Sequence, residues 1–154
     1  MIFLFSFLFC LNESWHDLVS ESDISVLTTS YEDASFGSLT PFTIDGSGNP
    51  VIFISDLALH TQNLQKNSNC SMVIFKLNKD NLFNSQRITL IGKMTKTTDK
   101  EIQIVFLKKH KQAKDFIELG DFSFYIMEIT KIYYVGEFGD IRWIELEEYK
   151  NSFK

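Results

Sequence analysis

The stretch Ser55-Asp56-Leu57-Ala58-Leu59-His60-Thr61-Gln62-Asn63-Leu64 decides how this chain is read. It follows the apolar run Val51-Ile52-Phe53-Ile54 and precedes a second one, Met72-Val73-Ile74-Phe75. Short runs rich in β-branched and aromatic residues suit buried strands. A strand therefore stops near Ser55, a short helix runs from His60 to Lys66, and another strand follows from Cys70 to Leu77. A helix start presents unpaired backbone N–H groups and the positive end of the peptide dipoles, which suits an anion such as a phosphate. Ser55 and Thr61 add hydroxyls, His60 an imidazole and Asn63 an amide that can reach back to the loop. Asp56 is a candidate cap for the helix.

Outward from this junction the pattern is mostly strand. Ile24 to Thr29 and Phe36 to Ile44 read as strands, and Asp45-Gly46-Ser47-Gly48-Asn49-Pro50 as the hairpin turn leading into Val51 to Ser55. Gln86 to Thr97 is a long strand with Gly92 at its middle, a sign of a bulge or a close backbone approach. Phe122 to Ile129 continues through Lys131 to Val135. Gly136 to Asp140 turns the chain, and Ile141 to Leu146 is the last strand. Helices are expected from Ser14 to about Ser20, after the capping box Thr98-Asp99-Lys100-Glu101, and over Gln112 to Glu118. The tail from Glu145 reads as a short helix or as disordered. Antiparallel strands in this number close into a barrel to remove their edges, with the helices over its ends.

Composition narrows the partners. The chain has 154 residues, 44% of them hydrophobic, and 15 are phenylalanine, so one aromatic-rich core is expected over residues 12–154. The net charge of -5 argues against nucleic acid, which is bound through excess Lys and Arg. The cluster Lys108-Lys109-His110-Lys111 reads as a solvated helix face, and His16 and His110 as surface residues. Two cysteines without metal-ligand spacing suit the reducing cytoplasm, with Cys70 a small buried residue. Trp15 and Trp143 suit core or dimer contacts. The apolar segment over residues 1–11 is shorter than the roughly 20 residues a bilayer requires, and it lacks the flank and cleavage site of a secretory signal. It is expected to pack on the core or on a partner subunit, or to stem from an upstream start codon that is not used; a membrane anchor is the lesser reading, so a membrane partner is not the expectation.

Four stretches then carry a resemblance. They are Gly37-Ser38-Leu39-Thr40-Pro41-Phe42; Ser55-Asp56-Leu57 with His60 to Leu64; Arg87-Ile88-Thr89-Leu90-Ile91-Gly92-Lys93; and Gly120 to Tyr125 leading to Val135-Gly136-Glu137-Phe138-Gly139. In order and spacing they resemble the pyridoxamine-phosphate-oxidase-like split β-barrels, most closely the haem-utilisation branch. The resemblance implies a mainly β, antiparallel Greek-key split barrel of the FMN-binding type with short helices. It further implies a homodimer with FMN at the subunit interface and an oxidoreductase acting on a small-molecule substrate. The flavin would lie along Ser38–Phe42 and Val51–Ser55, with Phe42 and Ile54 as apolar walls. Its phosphate would be held near His60 and Thr61, with Arg87 offering a planar fork of donors. The cofactor-binding set is thus Ser38, Phe42, Ser55, His60, Thr61, Asn63 and Arg87. Leu59 and His60 stand where the oxidases proper carry an Arg-Lys pair. Haem on the same scaffold is the alternative cofactor, and a cofactor-free structural homologue is the third reading. Asp121 is either a turn residue or a carboxylate beside a ring edge.

Overall fold

The computed structural model describes residues 13–154. The apolar segment 1–11, with Cys10, lies outside them. Helix α1 is Glu13–Glu21. Strands β1 (Ile24–Tyr31), β2 (Ala34–Ile44) and β3 (Pro50–Ser55) form a meander. Helix α2 (Leu59–Lys66) then carries the chain across to β4 (Asn69–Lys76), which pairs with β1. That return beside the first strand is a Greek key. Strand β5 (Gln86–Thr97), helix α3 (Lys100–Lys109), the short α4 (Lys114–Ile117), β6 (Phe122–Val135), β7 (Ile141–Ile144) and α5 (Leu146–Asn151) complete the chain.

The strand order is β3-β2-β1-β4-β5-β6-β7, and β3 also pairs with β6. Six strands therefore close an antiparallel barrel, and β7 hangs on the outside of β6. This is the mainly β split barrel with short helices that the sequence predicts. Alternation sets the two faces of each wall. In β1, Ser25, Leu27 and Thr29 are buried while Val26 and Thr28 are half-exposed. Strand β3 is buried on both sides because α3 covers its outer face. That is why its sequence is an unbroken apolar run rather than an alternating one. Ile52 and Ile54 enter the barrel core, whereas Val51 and Phe53 join an outer aromatic cluster with Phe106 and Phe124.

The two barrel ends are plugged by helices. At one end α1 buries Trp15 completely, stacked on Tyr149 of α5 with ring centroids 5.4 Å apart. The Tyr149 hydroxyl donates to the Gly48 carbonyl at 2.8 Å, tying the tail to the β2–β3 hairpin. In that hairpin the Asp45 carboxylate accepts from Ser47 and Asn49 N–H, both at 2.8 Å. At the opposite end, α2 seals the barrel. Its buried Asn63 amide donates to Thr29 Oγ1 at 3.0 Å.

Several elements differ from expectation. The last strand ends at Ile144 rather than Leu146, and the tail takes the helical one of its two expected forms. Asp99 rather than Thr98 caps α3, accepting from Glu101 N–H at 2.8 Å. His110 is half-buried rather than free on the surface. Its Nε2 lies 2.7 Å from the Phe42 carbonyl, and its ring rests on Phe106 at 4.8 Å. His16 is also half-buried, with its ring 4.7 Å from that of Phe153. Cys70 is free and buried, and burial pushes its thiol up to about 12. Among the described residues no helix is long and apolar enough to cross a membrane.

Candidate functional site

The end of β3 and the start of α2 form the most under-satisfied polar region of the fold. Ser55 Oγ donates to Asp121 Oδ2 at 2.7 Å and accepts from Leu57 N–H at 3.1 Å. Asp56 N–H donates to the Asp121 carbonyl at 2.6 Å. Asp121 thus pins the junction from the start of β6, a structural use of that carboxylate. The helix cap is Ala58, which has no side chain to satisfy the first turn, so Asp56 is not the cap. Its Oδ2 instead faces Lys96 Nζ at 3.7 Å. The N–H groups of Leu59 and His60 meet no acceptor among the described residues.

Four buried side-chain polar atoms have no partner among the described residues, and three of them lie here: Asp56 Oδ1, His60 Nε2 and Thr61 Oγ1. A buried polar group left unpaired costs about 1–3 kcal/mol. Three at one junction mark a place where a ligand group would recover hydrogen bonds. His60 Nδ1 lies 3.2 Å from Ser38 Oγ, which fixes the ring, and burial lowers its pKa, favouring the neutral imidazole. Thr61 is 0% exposed, its hydroxyl set within the first helical turn.

The predicted residues therefore divide. Ser38 meets His60, with Thr61 next to it in the same helical turn, whereas Ser55 at the end of β3 is spent on Asp121 and Leu57. Asn63 lies on the same helix but is spent on Thr29. Phe42 is 0% exposed and sits in the barrel core near the α1 end, so within one chain it presents no wall to a ligand. Arg87 is also at the α1 end, paired with Phe75 and Val135 and donating to the Ser85 carbonyl at 3.2 Å. Within one chain it does not meet the α2 junction. Lys96, which sequence reasoning passed over, does meet it. Its signal was phase: Ile88, Leu90, Gly92 and Met94 point inward, and Lys96 continues that phase to the strand's end.

Donors outnumber cations at this junction. Two amides and a hydroxyl can receive an anionic group, but the neighbouring ammonium already faces Asp56, and that carboxylate lowers the local potential. A singly charged carboxylate fits such a cradle better than a phosphate dianion, which calls for Arg or Lys.

The sequence matches the family described as CREG, beta-barrel, over residues 13–151. It is 33% identical over 116 residues to the chloroplastic non-canonical heme oxygenase HOZ of Arabidopsis thaliana, a stretch covering 73% of this chain and 35% of that protein. The chain thus spans about a third of the length of that relative. A heme binding protein from Mycobacterium smegmatis superposes with a TM-score of 0.82 at 24% identity, over 91% of this chain and 60% of that one. A putative pyridoxamine 5'-phosphate oxidase from Listeria innocua superposes with a TM-score of 0.64 at 15% identity, over 82% of this chain and 99% of that one. The barrel closure, the helix-sealed ends and a family match running almost from α1 to the end of α5 lead to one assignment: the chain belongs to the CREG beta-barrel family, within the split-barrel fold of the pyridoxamine-phosphate-oxidase type.

Proposed function

We propose that this chain is a haem-handling barrel, in which the β3–α2 junction receives a propionate arm of the tetrapyrrole. The observation that carries this reading is the set of polar groups left without partners at this helix start among the described residues, Thr61 Oγ1 and the Leu59 and His60 amides, with Asp56 beside them on Lys96. The relative that is 33% identical and named a heme oxygenase supports it. Thr61 and the two amides would hold the carboxylate, and Ser38 would orient His60. Bound haem would supply iron-centred oxygen or redox chemistry. FMN bound by an oxidoreductase acting on an unknown small molecule is the second reading. It is favoured by the helix-start donors and by the fold shared with the Listeria oxidase.

Haemin titration followed at the Soret band, with FMN as the parallel ligand, separates the two. Saturable haemin binding at one per chain is expected, weakened about tenfold by Thr61→Val, the value of one lost charge-assisted hydrogen bond. Saturable FMN binding with no haemin binding would replace this reading with the flavoprotein.

The protein is further proposed to be a homodimer in a reducing compartment such as the cytoplasm. One register row on the outer wall reads Leu39–Val26–Val73–Thr89–Tyr133–Trp143. Leu39 is 65% and Trp143 58% exposed, and the Tyr133 and Trp143 rings lie 4.9 Å apart. A row so apolar across a whole wall suits a self-complementary contact. Arg87 projects from the same wall, one row nearer the α1 end. A second copy packed on this wall in the opposite direction would bring that guanidinium toward the α2 junction of its neighbour. Val73→Arg, at the centre of the row, is expected to convert the dimer to a monomer in light scattering with an unchanged far-ultraviolet circular dichroism spectrum. A wild-type monomer at micromolar concentration would sink the dimer.

A further inference from the structure

Outside the barrel, between the β3–β6 seam and the helices α3 and α4, lies a cavity of about 210 Å³. Phe53, Phe122 and Phe124 form its floor and walls, with Ile117 of α4 above. The Phe53 ring lies 4.3 Å from Phe124 and 5.1 Å from Phe122, centroid to centroid. Its polar lining is Lys96, Thr97 and Thr98 at the end of β5, Gln103 of α3 and Ser123 of β6. Among the described residues one cation and no carboxylate line it.

We infer that this cavity is a second ligand site, taking a small planar aromatic carboxylate with its ring among the phenylalanines and its charge at Lys96. The inference is independent of the haem reading. Protein interiors close on voids, because an unfilled wall forfeits dispersion contacts. Here α4 does not close. Phe116 and Ile117 each stay 44% exposed, and the aromatic walls beneath line a cleft that is open to solvent. At ~30 Å³ per water, the space equals about seven waters, enough for one or two fused rings. An apolar pocket with a few polar groups is the usual form of a small-molecule site, and the Lys96 ammonium, which an anion would share with Asp56, is the charge such a ligand meets.

The cavity is separate from the barrel interior. Phe53 faces outward with Phe106, whereas its neighbours Ile52 and Ile54 face the core. Lys96 is the link between the two regions, since its ammonium also faces Asp56 at 3.7 Å. An occupant carboxylate would draw Lys96 away from that exposed pair.

Isothermal titration of the full chain with 2-naphthoate, and with the uncharged 2-naphthalenemethanol, tests the site. Saturable binding of naphthoate at one per chain is expected, with the alcohol at least about tenfold weaker for want of the charge-assisted bond. Lys96→Met should weaken naphthoate by a similar factor, and Ile117→Trp, which fills the void, should abolish binding. Thr61→Val should leave it unchanged, which separates this site from the α2 junction. Absence of saturable binding, binding indifferent to both cavity variants, or loss through Thr61→Val would each overturn the inference.

Discussion

Gly92→Val should melt about 10 °C below the parent protein. A Cβ built at Gly92 would stand 2.0 Å from the Glu128 carbonyl oxygen, 2.9 Å from its carbon and 3.0 Å from Ile129 Cα. All three are backbone atoms of the neighbouring strand, so no side chain can swing aside. The cause is the bulge. Ile91 pairs with Lys131 and Gly92 with Ile129, leaving Thr130 as the extra residue of β6. Thr130 Oγ1 donates to the Ile91 carbonyl at 3.1 Å and fixes the step in register. Relief requires β5 and β6 to separate at the middle of their pairing, where Leu90 and Met94 face the core. Overpacking of this kind costs about 3 kcal/mol, and at this chain length each kcal/mol moves the midpoint by roughly 2–4 °C. Gly120→Ala is the contrast. Gly120 has φ +76° with open space around its Cβ position, so its cost is the left-handed backbone alone, about 1 kcal/mol. Thermal unfolding followed by circular dichroism checks both. A Gly92→Val midpoint within ~2 °C of the parent, a shift worth no more than about 1 kcal/mol, would show that the strands do not approach as described.

Gly92 was legible in the sequence because its meaning is local: a glycine inside a long strand implies a bulge or a close approach. The same holds for the 45–50 hairpin and for the β3 run, where residue type and alternation carry the structure. The junction residues were legible as a group because Ser55, His60 and Thr61 lie within seven residues of chain. What escaped the reading depends on contacts made far along the sequence. Asp56 looks like a cap, but Lys96 draws its carboxylate elsewhere, and the cap falls to Ala58. His110 looks solvated until α3 packs on the barrel and sets its ring against the Phe42 carbonyl. Arg87 and Lys96 lie on one strand, yet its ten-residue span between them places one at each barrel end. Periodicity reveals which face a residue takes and not which end of the closed barrel it reaches.

Trp15→Ala should be at least as costly, at about 3–5 kcal/mol, or roughly 10–15 °C in melting temperature. Trp15 is 0% exposed and is the largest of the fully buried side chains. It sits where α1, the barrel end and α5 meet, with Leu18 and Val19 buried beside it. Among the described residues nothing nearby can collapse into the space, because Tyr149 is held by its hydrogen bond to Gly48 and Phe153 lies 5.0 Å beyond Tyr149. The indole nitrogen makes a second, finer expectation possible. Trp15 Nε1 is buried and has no acceptor among the described residues. Trp15→Phe removes that unpaired donor while keeping a ring against Tyr149, so the loss of burial is partly offset by a group worth about 1–3 kcal/mol when left unsatisfied. The phenylalanine variant should therefore stay within roughly 2 kcal/mol of the parent, below the alanine cost. Melting curves at one fixed protein concentration, so that dimer formation does not move the midpoint, make the comparison. Equal losses in the two variants would mean that the indole N–H is paired in solution and that Trp15 holds α1 through that bond rather than through its volume.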